Sequence, residues 1–146
     1  MASPSEASTG GGLGYLLMTS AHAWRTSLAR RLQPVDLTTS QFFVVAALFH
    51  RHKSGKPPLS QRQIAQRAGL DINVVSQVVR DLERRAILRR DQHPDDSRAH
   101  QVTLSESGLV LAKLSTATAR RLNDEFFAHI DGAVLAPVLE KLTNAV

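Results

Sequence analysis

The chain has 146 residues, 42% of them apolar and 21% charged, with no cysteine and a net charge of +5. That length buries one core rather than two independent ones, and the lack of cysteine excludes disulfides, thiolate metal sites and thiol redox sensing. No apolar run approaches the roughly 18 residues of a bilayer span, and the first residues lack the basic flank and short apolar core of a signal peptide, so the expectation is a cytoplasmic protein with no membrane partner.

Residues 1–12 (MASPSEASTGGG) are small, polar and Gly-rich, and read as a disordered tail. From Leu13 the apolar positions Leu16, Leu17, Ala21, Trp24, Leu28 and Leu32 recur three and four apart, which predicts one face of a long helix closed by Pro34. Thr38 or Thr39 can cap a second helix, TSQFFVVAALFHRH, apolar almost all round and so central to a core. The loop HKSGKPP follows, its two prolines allowing Pro58-Leu59 at best a short edge strand.

Ser60, with Gln63 three residues on, predicts a capping box for a short helix, SQRQIAQRA, which Gly69 ends. Asp71 then caps a further helix, INVVSQVVRDLERR, with an apolar stripe of Val74 or Val75, Val78, Val79 and Leu82. Asn73, Ser76, Gln77, Arg80 and Arg84 make the opposite face. Two helices joined by a tight turn at glycine, the second with an amide and arginine face, form a helix-turn-helix.

After Ala86, ILRRDQ reads as a strand and AHQVTLS alternates, with His100, Val102 and Leu104 on one face. The two bracket HPDDSR as a hairpin with a long tip, a wing. Ser105 and Gly108 open a long helix with Leu111, Leu114, Thr118, Leu122, Phe126 and Ile130 along one side. A last helix follows Asp131, with Pro137 inside it predicting a kink or a later start.

Charge is uneven along this order. Residues 55–104 carry nine Lys/Arg against six Asp/Glu, whereas residues 105–146 carry four against five. The basic helix-turn-helix region therefore favours an anionic partner, and the C-terminal part has no need of one. A metal site is not expected: His50 and His52 lie two apart on a helix, so they point in different directions, and no third ligand accompanies them. No nucleophile–base spacing, Gly-rich phosphate loop or pair of carboxylates in an apolar setting suggests an enzyme, and no cofactor is expected.

The segments LTTSQFFVVAAL, LSQRQIAQRAGLDINVVSQVVRDLERRAILRR and HPDDSRAHQVTLSESG resemble the MarR family of bacterial transcription regulators. The likeness runs from about Leu13 to Leu142. The wing is its most specific part: the family's Asp-x-Arg, a strand ending Leu-Thr and a helix opening near Gly correspond here to Asp96, Arg98, Leu104-Ser105 and Gly108. Gln77 stands where the family often has Arg, and Ala86 where it often has Gly, which asks for a backbone that Ala tolerates or some strain.

The resemblance implies a mainly α (α+β) fold: a winged helix-turn-helix over residues 36–104 with a two-stranded wing, and helices 13–35 and 105–146 interlocking with a second copy. Its partners are then double-stranded DNA, a second copy of itself and a candidate small aromatic or anionic effector. Asn73, Ser76, Gln77 and Arg80 face bases in the major groove, where amides suit adenine and arginine suits guanine. Ser60, Arg62, Gln63 and Arg84 meet the DNA backbone. Arg98 enters the minor groove of the neighbouring turn, oriented by Asp96. By the same resemblance His22, Trp24, Arg25 and Phe42 are the candidate effector pocket. The function implied is a repressor on a palindromic operator; the alternative is a winged-helix module that binds an acidic protein instead of specific DNA.

Overall fold

A computed structural model describes residues 12–92, 95–96 and 100–145. The chain divides into two units, residues 29–118 and residues 1–28 with 119–146, and both boundaries fall inside long helices.

The first helix, α1 (Gly12–Leu32), gives way at a 3-10 turn, Gln33–Val35, where Pro34 has no N–H to continue the ladder. In the unit of residues 29–118, α2 (Thr39–Lys53) is capped by Thr38 rather than Thr39. The Thr38 hydroxyl accepts from the Gln41 N–H at 3.1 Å while the Gln41 side chain accepts from the Thr38 N–H at 3.0 Å. Phe42, Val44, Val45 and Leu48 of α2 are buried, as its all-round apolar character predicts.

Strand β1 (Leu59–Ser60) leads directly into α3 (Gln61–Ala68), and Ser60 serves both. Its hydroxyl accepts from the Gln63 N–H, the Gln63 side chain returns the bond, and Gly69 ends the helix at φ 64°. Asp71 accepts from the Asn73 N–H at 2.7 Å and starts α4 (Ile72–Arg84). Of the two candidate valines, Val75 joins Val78, Val79 and Leu82 in the core, and Val74 is exposed.

The sheet has three strands: the two of the expected wing and a short edge strand, allowed by the sequence at Pro58-Leu59 and found at Leu59–Ser60. Strands β2 (Leu88–Gln92) and β3 (His100–Leu104) form an antiparallel pair, Leu88 opposite Leu104 and Gln92 opposite His100. The short β1 adds to the free edge of β3, Leu59 opposite Val102, so the order is β1-β3-β2. Pro57 and Pro58 precede this pairing and so remove no ladder bond from it.

Helix α5 (Glu106–Phe126) follows Ser105. The Ser105 hydroxyl donates to the Ala86 carbonyl at 2.6 Å and accepts from the Gly108 N–H at 3.0 Å, fastening the first turn of α5 to the end of α4. The covered line of α5 is Gly108, Ala112, Ser115, Ala119 and Leu122. The expected stripe is corrected accordingly: Leu114 and Phe126 are exposed, and Ile130 lies beyond the helix end and is also exposed.

In the other unit α6 (Gly132–Thr143) starts at the Asp131 cap, and Pro137 lies within it, so the later start predicted from that proline does not occur. A proline six residues into a helix removes one backbone hydrogen bond without ending the helix. The Trp24 indole N–H donates to the Asn123 side-chain oxygen at 2.9 Å, tying α1 to the end of α5. Leu28, Ala119 and Leu122 are buried. Leu13, Leu16, Leu17, Met18, Val134, Val138, Leu139 and Leu142 remain exposed. Among the described residues no single helix is long and apolar enough to cross a membrane.

Candidate nucleic-acid interface

Helix α4 has two faces of opposite character, set by its sequence period. Val75, Val78, Val79 and Leu82 recur three and four apart and are buried, so the residues about half a turn away must face outward. Asn73, Gln77, Arg80 and Arg84 are those residues, and all four are exposed. At the N-terminal end Ile72 and Val74 are also exposed, at 42% and 40%, a pair of aliphatic side chains beside Asn73.

Ser76 differs from the other predicted readers. It is only half exposed, and its hydroxyl donates to the Gln61 side-chain oxygen at 2.8 Å, which links α4 to the first residue of α3. Gln77 and Arg80 are joined to each other, the arginine donating to the Gln77 oxygen at 3.0 Å. Arg84 pairs with Asp81. Asp81 was absent from the predicted set, although its place four residues after Gln77 and three before Arg84 is the spacing at which helix side chains meet.

Three of the four predicted backbone contacts lie at the start of α3, and the fourth, Arg84, ends α4. Ser60 and Gln63 bond to each other in the capping box, which leaves Arg62 as the exposed cation at that helix N-terminus. Arg90 donates to Glu83 at 2.8 Å, tying the first wing strand to α4. Arg85 braces the opposite side, donating to the Asp36 carbonyl at 2.8 Å. At the wing tip Asp96 is exposed, whereas Arg98 lies outside the described residues, and so does the pairing predicted between them.

The four candidate effector residues separate. His22 and Arg25, three apart on α1, are exposed, and half-buried Trp24 bonds to Asn123. Trp24 also lines an open apolar groove of about 800 Å³ with Leu16, Leu17, Phe126, Phe127 and Leu139. Phe42 belongs to the unit of residues 29–118 and is buried there, its ring 5.7 Å from that of Phe43. Among the described residues no group of three His, Cys, Asp or Glu side chains could hold a metal.

Comparison with known proteins gives this geometry its context. The MarR family model matches residues 37–100, which run from the residue before the α2 cap to the start of β3. Over that segment the chain is similar to the MarR family. That segment holds α3 and α4, a helix-turn-helix, and the first wing strand β2, and it ends where β3 begins. A curated relative, the HTH-type transcriptional regulator YdcH of Bacillus subtilis, is 27% identical over 79% of this chain and 78% of its own length. The PcaV transcriptional regulator from Streptomyces coelicolor, solved in complex with its natural ligand, is 26% identical with a TM-score of 0.74, covering 99% of both chains. S. aureus MepR, solved as a DNA complex, shares the fold at 22% identity with a TM-score of 0.77, covering 91% of this chain and 95% of that one. The likeness to these solved structures therefore extends on both sides of the segment that the family model matches.

Proposed function

We propose that this chain is a double-stranded-DNA-binding transcription regulator, a repressor that acts as a two-fold dimer on a palindromic operator and responds to a small effector. One observation carries the reading: within the segment that the MarR family model matches, α4 buries its valines and turns Asn73, Gln77, Arg80 and Arg84 to solvent. An exposed helix with amide and guanidinium groups suits the major groove, where these groups match the edges of adenine and guanine. Arg62 at the exposed start of α3 supplies a phosphate contact with the helix N-terminus behind it.

The dimer reading rests on the second unit. Both terminal segments leave aliphatic side chains at the surface, Leu16 and Leu17 on α1 and Val138 and Leu139 on α6 among them. A second copy would cover this face and set two recognition helices about one turn of DNA apart. The effector reading is supported by PcaV, solved with its ligand, and by the exposed Arg25 with His22 one turn before it, a guanidinium and an imidazole that suit an anionic molecule. An effector that stabilises a dimer with the two recognition helices wrongly spaced would release the operator. In this reading the protein works in the cytoplasm by binding alone, without cofactor or catalysis.

Selection of bound duplexes from a random pool tests the proposal. The expected result is an inverted repeat with half-sites about one helical turn apart, bound more tightly at low salt. Failure to retain any duplex at low salt would sink it, and would favour the module that binds an acidic protein.

A further inference from the structure

The outward face of α4 holds a connected chain of side chains. Arg80 Nη2 donates to Gln77 Oε1 at 3.0 Å, Gln77 Nε2 donates to Asp81 Oδ1 at 3.1 Å, and Arg84 Nη2 donates to the same Asp81 oxygen. Successive residues turn by about 100°, so Arg80 and Asp81 flank Gln77 on either side of its helix line. Both ends of the Gln77 amide are thus engaged with neighbours on its own helix.

That engagement matters for reading DNA. An amide that recognises adenine presents its oxygen and its NH₂ group together to one base edge. Gln77 instead turns its oxygen to Arg80 and its nitrogen to Asp81. Arg80 has five N–H donors and uses one of them here, so the others remain for the O6 and N7 of a guanine. Asp81 decides which way round the amide sits: an acceptor-only carboxylate holds the NH₂ end, and the oxygen is left for the arginine.

We propose that Gln77 and Asp81 are positioning residues for Arg80: Asp81 fixes the orientation of the Gln77 amide, Gln77 aims the guanidinium, and Gln77 reads no base of its own. This rests on the DNA-reading role of α4 proposed above. It also gives the carboxylate a purpose on a face that meets phosphates, where an acidic group otherwise weakens binding.

The test uses the full chain and the duplex that it selects from a random pool, with every base pair of one half-site substituted in turn. Arg80→Ala lowers discrimination at one base pair by on the order of ten- to a hundredfold. Gln77→Ala lowers discrimination at that same base pair, and the double variant loses no more than Arg80→Ala alone. Asp81→Ala loses preference there too, while its affinity for unselected duplex rises, because a negative charge is gone and Arg84 is released. Gln77 and Arg80 are exposed and Asp81 is partly so, which keeps these changes out of the core. Loss of preference at a different base pair in Gln77→Ala, or losses that add in the double variant, would overturn the assignment while leaving the regulator reading intact. A wild-type chain that selects no site removes the regulator reading and this assignment with it.

Discussion

Ala86 and Gly108 meet at the joint between α4, the sheet and α5, and each is held there by backbone geometry. Ala86 adopts φ 58°, the left-handed region that costs an L-residue about 1–2 kcal/mol. Ala86→Gly is therefore expected to raise stability by about 1 kcal/mol, seen as a higher denaturant midpoint with an unchanged slope. At Gly108 an added Cβ would lie 2.1 Å from the Ile87 carbonyl oxygen, so Gly108→Ala should cost about 1–3 kcal/mol in the same titration. Thr103 offers a third test. Its buried hydroxyl has no hydrogen-bond partner among the described residues, and Thr103→Val should raise the thermal midpoint by removing an unsatisfied polar group. Ala86 stood out in the sequence as a departure from a familiar glycine. The reason for Gly108 was not visible there, because Ile87 approaches it only once α5 has folded back onto the end of α4.

At the level of elements, the helix boundaries were largely legible because caps are local. Ser60 with Gln63, Gly69 and Asp71 each act over two to four residues, so their chemistry is written in adjacent letters. The third strand was less so, since β1 exists only by pairing with β3 some forty residues later. The choice between Val74 and Val75 had the same origin: adjacent valines are equivalent to a periodicity argument until a packed neighbour selects one. The elements also divide the proposed DNA contacts. Arg62→Ala, at the start of α3, is expected to weaken all duplexes alike and to reduce the slope of log affinity against log salt by about 1. Arg80→Ala on α4 should change base preference instead, and equilibrium binding at several salt concentrations separates the two. An Arg62→Ala variant with an unaltered slope would remove the phosphate contact from α3.

The whole molecule raises the question of what covers the apolar face of the terminal unit. Leu17 and Leu139 are 49% and 40% exposed, so replacing both with Glu disturbs little in a single chain but puts carboxylates into the proposed interface between copies. The full chain is expected to elute as a dimer at micromolar concentration, and Leu17→Glu/Leu139→Glu as a folded monomer. Its affinity for a palindromic site should fall by roughly a hundredfold or more, because the two half-sites are no longer bound together. Scattering mass with sizing chromatography checks the first point. A wild-type monomer at that concentration would end the two-fold reading.

The sequence by itself determined the helix-turn-helix, its caps, the hairpin after it and the amide and arginine face of α4. All of these follow from contacts within a few residues or from the period of a single helix. Tertiary structure decided which valine is buried, how β1 joins the sheet, and that Ala112, Ser115 and Ala119 rather than Leu114 and Phe126 lie on the covered line of α5. It also revealed that Ser76 bonds to Gln61, and that Gln77 links Arg80 to Asp81. A side chain's type limits what it can bond to, but only a folded neighbour settles which of those bonds it makes.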